Sequence, residues 1–101
     1  MTNEVKLSGR VVGRVVGWMD NGQAATTLLV SVETRADTGD TFRVVCYGKL
    51  AGVAWSRAED GAEVDVTGRL QSRFVRRTQN VVEVVEVVAS GLHFGPPRAE
   101  G

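Results

Sequence analysis

Four arginines, Arg69, Arg73, Arg76 and Arg77, lie between Asp65 and Glu83 with no acid among them. Guanidinium groups at this density suit a polyanion. Beside aromatic rings they suit a nucleic acid strand, where cations track phosphates and each base stacked on a ring is worth about 1–3 kcal/mol. The segment Thr41-Phe42-Arg43-Val44-Val45-Cys46-Tyr47 has the period of an extended strand. Alternation places Thr41, Arg43, Val45 and Tyr47 on one face and Phe42, Val44 and Cys46 on the other. The second face is wholly apolar and belongs inside. The first pairs a guanidinium with a phenol ring and belongs on a surface. Further along, Arg69, Gln71, Arg73 and Val75 share a face opposite Leu70, Ser72 and Phe74. Taken alone, this basic cluster reads equally well as a solvated hairpin, because charge runs are usually solvated faces. Arg43 and Tyr47 beside it favour binding.

Other chemistries find little support. Cys46 and His93 are the only soft metal ligands, too few for a zinc site, and one cysteine makes no internal disulfide. Cys46 reads as a small core residue. His93 has no recognisable nucleophile partner, and Gly9, Gly13 and Gly17 are spaced wrongly for a phosphate-binding loop. No enzyme, cofactor or metal is expected. The 101 residues make one domain of ordinary globular composition, 43% hydrophobic and 24% charged. No apolar run approaches the ~20 residues of a membrane span, and the N-terminus has no secretory pattern, so a cytoplasmic location is expected, with nucleoid association only as a consequence of nucleic-acid binding. Twelve basic residues balance twelve acidic ones. That balance argues mildly against strongly electrostatic binding, but the signs are separated along the chain: Glu59, Asp60, Glu63 and Asp65 precede the arginines.

The elements that must position these groups follow from valine. There are nineteen valines and no isoleucine, and valine favours strands through its branched Cβ. Its clusters are separated by turn-like stretches at 19–22, 37–40, 59–61 and 76–80, which predicts five antiparallel strands: Glu4–Val16, Ala24–Thr34, Thr41–Tyr47, Glu63–Phe74 and Val81–Phe94. Strands this long in so small a domain must curl, and closing into a barrel removes exposed edges. Gly9, Gly13 and Gly68 fall inside strands and mark bulges or bends. Lys49–Ala58 is the exception, with Leu50, Val53 and Ala54 at helical spacing, and predicts a short helix plugging one barrel end. The run Val81–Val88 has period three, so Glu83 and Glu86 face opposite sides of a strand unless a bulge intervenes.

The residues also carry a family resemblance. Asn3-Glu4-Val5-Lys6-Leu7-Ser8-Gly9-Arg10 resembles the first strand of the bacterial and phage single-stranded DNA-binding (SSB) proteins. Arg43-Val44-Val45-Cys46-Tyr47-Gly48-Lys49-Leu50-Ala51 resembles their Arg-x-Val-x-Phe-Gly-Lys-Leu-Ala pattern, and Gly61, Val64, Val66, Gly68, Arg69 and Leu70 continue the series. The likeness spans roughly residues 3–94, and its ordered series is more specific than any one piece. It turns the expected small barrel into an all-β OB-fold: a five-stranded barrel with one short helix between strands 3 and 4.

The resemblance implies sequence-nonspecific binding of single-stranded DNA, or of RNA, in replication, recombination or repair. It implies contacts from Arg43, Tyr47, Arg69, Arg73, Arg76 and Arg77, with Arg10, Lys49, Trp18 and Phe74 as further candidates. Trp18 fits either base stacking or packing under the first loop, and Lys49 either DNA or solvent. Phe74 stands on the wrong parity unless the strand bulges, and Trp55 reads as packing. Thr41 stands where the family commonly has a stacking tryptophan, which implies fewer stacking contacts and more salt-sensitive binding. A homo-oligomer is implied, a tetramer ahead of a dimer. Residues 95–101 read as a short tail without the family's acidic Pro-Phe tip, so tail-mediated recruitment of repair enzymes is not expected. Two alternatives stay open: a dimeric relative of primosomal replication protein N, and an OB-fold assembly module that binds no nucleic acid.

Overall fold

The computed structural model describes residues 2–18, 22–35 and 38–95. The chain runs β1 (Val5–Trp18), β2 (Ala24–Arg35), β3 (Thr38–Tyr47), α1 (Lys49–Arg57), β4 (Glu63–Arg76) and β5 (Val81–Phe94). The strands close into a barrel in the order β1-β2-β3-β5-β4, with α1 between β3 and β4 as expected. Four of the five pairings are antiparallel. The fifth, β3 with β5, is a short parallel seam joining Val44 to Val87 and Val45 to Val88. Its direction follows from chain order: β4 reverses the path after α1, and β5 reverses it again.

Closure depends on β1 serving two neighbours. Its first half pairs with β4 from Val5 to Arg10, and its second half with β2 from Arg10 to Trp18. The strand must bend between them. A bulge falls between Val11 and Gly13, and a Cβ on Gly9 would collide with the Ser31 carbonyl. Gly68 has the same role in β4, where a Cβ would collide with the Val88 carbonyl. The register of β4 and β5 shifts beside it, leaving Ser90 as the extra residue. That shift lets Leu92 and Phe94 point inward along with Val87 and Ala89.

The core is mostly valine, with Val11, Val30, Val44, Val64, Val66 and Val87 packed with Leu28 and Cys46. Burial pushes the Cys46 thiol up to about 11, so it stays protonated and inert near neutrality. The helix closes one barrel end. Its buried face is Ala51 and Ala54, continued by Ala58, instead of the expected Leu50, Val53 and Ala54 stripe. Small side chains let the helix lie close to the barrel, and Thr26 Oγ1 donates to the Ala51 carbonyl at 2.9 Å. Arg14 of β1 holds the helix end, donating to the Trp55 and Ala58 carbonyls with its guanidinium 4.5 Å from the Trp55 ring centroid. A cation over terminal carbonyls complements the helix dipole. Trp55 is thus a stacking partner within the fold, although it is 47% exposed.

Several boundaries differ from expectation: β1 starts at Val5 and runs on to Trp18, β2 runs on to Arg35, α1 stops at Arg57, and β3 and β4 are longer than expected. Strand β3 begins at Thr38, because Thr38, Gly39 and Asp40 pair with Arg35, Glu33 and Val32 where a turn is expected. Ladder hydrogen bonds there outweigh the turn propensity of Asp37-Thr38-Gly39-Asp40. Strand β4 runs on to Arg76, opposite Val81, so Arg76 belongs to a strand and not to the loop. Most of the first expected turn, at 19–22, and the tail beyond residue 95 lie outside the described residues.

Candidate nucleic-acid interface

The outer face of β3 carries Arg43, Val45 and Tyr47, while Val44 and Cys46 are fully buried inside the barrel. Alternation alone predicts this division. Phe42, expected inside, lies on the inner side but remains 37% exposed. Register extends the outer face sideways. On β2 the partners of Tyr47, Val45 and Arg43 are Ala25, Thr27 and Leu29. Across the parallel seam Val45 meets Val88, and Val88 in turn faces Arg69 on β4. Two residues further along, Glu86 faces Gln71, and beyond it Val84 faces Arg73. One continuous surface over β3, β5 and β4 therefore holds Arg43, Tyr47, Arg69, Gln71 and Arg73. Val45 and Val88 form its apolar floor and are almost fully buried despite facing outward.

Arg43 and Arg69 make no ion pair among the described residues, and both are exposed. Arg73 Nε donates to Glu86 Oε1 at 2.9 Å, and Gln71 Nε2 donates to the same oxygen at 3.3 Å. Glu86 is buried although it stands on this outer face. Sequence reasoning predicts that Glu83 and Glu86 face opposite sides, and they do, without a bulge between them. It does not find the burial of Glu86. The signal was the parity shared by Glu86 and Val88, readable only once β5 is set beside β4.

Of the other candidates, Phe74, Arg76 and Arg10 lie off this surface, and Arg77 and Lys49 stand at its ends. Phe74 stays on the opposite face, since no register shift occurs between Gly68 and Arg76, and it is 72% exposed beside Leu70, Val81 and Val85. Arg76 shares that face. Arg77 begins the hairpin turn, its amide donating to the Asn80 carbonyl at 2.7 Å. Arg10 is engaged elsewhere, 3.1 Å from Glu63 Oε1 and within 3.3 Å of the Gly61 carbonyl. Lys49 opens α1 after Gly48, whose φ of 60° makes the sharp turn out of β3, and it is exposed two residues beyond Tyr47. Trp18 ends β1 opposite Ala24, and its side chain is outside those described. Asn3, from the opening motif, braces β4 at Leu70, next to Arg69. Its amide exchanges two hydrogen bonds, of 2.9 and 2.8 Å, with the Leu70 backbone and so extends the edge of β4.

A closed five-stranded barrel of this order, with a helix between the third and fourth strands, is an OB-fold, a class whose ligand face centres on strands 2 and 3. The family model described as "Single-strand binding protein family" matches residues 2–94, and the chain belongs to that family. Among solved structures it is similar to the one described as the Plasmodium falciparum SSB complex with ssDNA, with a TM-score of 0.81 and 21% identity over 95% of this chain and 96% of that one. No curated protein matches it. No helix among the described residues is long and apolar enough to cross a membrane.

Proposed function

We propose that the protein binds single-stranded DNA without reading its sequence, through the outer face of β3, β5 and β4. The observation that carries this is the joining of Arg43, Tyr47, Arg69 and Arg73 on one surface, in a chain of the single-strand binding family. Arginines neutralise phosphates, Tyr47 offers a ring to one base, and the valine floor adds apolar contact that does not depend on which base it meets. Lys49 and Arg77 extend the basic path at its two ends. The reading is of a binding protein and not an enzyme. Assembly as a homo-oligomer belongs to the same proposal, supported by the exposed Val12, Val15 and Val16 on β1. Residues 1–94 form the binding domain in this reading, and 95–101 a tail.

The test is fluorescence anisotropy of labelled oligo-dT at two salt concentrations, with an equal-length duplex as competitor. Tight, salt-weakened binding that duplex does not displace is expected. No binding at low salt would overturn the reading. Mass in solution then separates a tetramer from a dimer, and oligo-U in place of oligo-dT reports the preference between DNA and RNA.

A further inference from the structure

We infer that Glu86 is a positioning residue for single-strand binding: it fixes the guanidinium of Arg73 so that its terminal nitrogens face the strand. This rests on the function proposed above. The Glu86 side chain is only 1% exposed, while that of Arg73 is 49% exposed. Only one carboxylate oxygen is used. Oε1 accepts from Arg73 Nε and Gln71 Nε2, and Oε2 has no partner among the described residues. A half-satisfied buried carboxylate is a poor stabiliser, and an apolar side chain of similar size commonly does as well in such a place. Its neighbours along the face, Val84 and Val88, are apolar already. Stability therefore does not account for an acid here, and an acid beneath a phosphate-binding face repels the ligand it should attract.

The geometry of the contact supplies the reason. The hydrogen bond comes from Nε, the inner edge of the guanidinium. A planar guanidinium held by Nε keeps its two terminal nitrogens as a preset fork for a phosphate. Arg73 reaches Glu86 diagonally, since its own partner in the ladder is Val84. The contact thus draws the side chain toward β5, the strand that forms the parallel seam with β3. Gln71, directly opposite Glu86, is anchored on the same oxygen. A lysine at position 73 would keep the charge and lose the fork.

The test is a double-mutant cycle read by oligo-dT anisotropy, with thermal unfolding as the folding control. Glu86→Leu is expected to weaken binding about fivefold, the scale of one orienting hydrogen bond, without lowering the melting temperature. Glu86→Gln keeps a carbonyl acceptor for Nε and should fall between it and the parent. In an Arg73→Ala background, Glu86→Leu should no longer weaken binding. Unchanged or tighter binding by Glu86→Leu alone would overturn the inference, since the carboxylate would then act only as a repelling charge. Equal weakening in both backgrounds would also overturn it. Arg73→Lys guards against a Glu86 variant that fails to fold: binding kept at the parental level by lysine would refute the fork. Failure of the parent protein to bind oligo-dT would sink the proposed function itself. Parental binding with a failed cycle would sink only the role of Glu86.

Discussion

Replacing Arg43 with glutamine should lower the salt dependence of single-strand binding by a calculable amount. Arg43 is exposed on the outer face of β3 and has no ion pair among the described residues. Its charge is therefore available to displace a counterion from a phosphate. For single strands, each neutralised phosphate adds about 0.7 to the slope of log affinity against log salt, so between ~50 and ~200 mM salt one contact changes affinity by about 2.6-fold. Arg43→Gln should remove that factor, and do so equally on oligo-dT, oligo-dA and mixed sequences. Arg10→Gln is the matched control. Its guanidinium lies off this face, 3.1 Å from Glu63 Oε1, so the same charge is removed away from the strand and the slope should stay in place. Anisotropy titrations at four or more salt concentrations measure both slopes. An unchanged slope in Arg43→Gln would refute the placement of the strand over β3. Equal losses in both variants would show that binding responds to net charge and not to this face.

Tyr47→Ala should weaken oligo-dT binding by about 1–3 kcal/mol if one base stacks on the ring, while Tyr47→Phe should keep most of it; anisotropy at fixed salt decides. Gly68→Ala should destabilise the barrel by roughly 1–3 kcal/mol, the usual cost of overpacking, because the new Cβ would meet the Val88 carbonyl, which belongs to rigid backbone. Urea unfolding measures this, and an unchanged midpoint would mean that the β4–β5 ladder can yield there. Cys46 should resist alkylation in the folded protein at pH 8, since burial raises its thiol from 9.0 to about 11. The unfolded thiol releases its proton first, so the contribution of this group to stability is whole below pH 9 and declines as pH rises from 9 to 11. Unfolding followed across that window checks the sign.

Valine spacing made the strands legible because a residue that favours strands was concentrated in them and glycine stood where they bend. It did not reveal the parallel seam, since Val44 and Val87 are distant in sequence and nothing local says that β3 and β5 become neighbours. The helix was legible as an element but not in its orientation. Leu50 and Val53 are the more apolar residues, yet closeness to the barrel selected Ala51, Ala54 and Ala58 for the buried face. Parity alone put Arg43 with Tyr47 and Arg69 with Arg73. Bringing the two pairs onto one surface required the order β3-β5-β4. Glu86 was hidden for the same reason: in a period-three run both glutamates look alike, and only the register shows Glu83 opposite Phe74 and Glu86 opposite Gln71.

The zero net charge of the chain is compatible with an electrostatic site, because distance along β4 separates the two signs. Acids Glu63 and Asp65 occupy its first residues, where Glu63 pairs with Arg10 and Asp65 accepts from Ser8 at 2.7 Å. Arginines occupy its far end. At about 3.3 Å per residue, even Asp65 and Arg69 stand roughly 13 Å apart along the strand, and Glu63 and Arg73 roughly 33 Å. Both separations exceed the ~8 Å Debye length of physiological salt, so the acidic end does not quench the basic one. Among the described residues Glu86 is the acid that pairs with one of these arginines, and its charge acts on Arg73 directly. The balance that matters for a bound strand is therefore the local one, two arginines with no ion pair among the described residues and one oriented by a buried carboxylate. A strand placed there meets a positive surface although the net charge of the chain is zero.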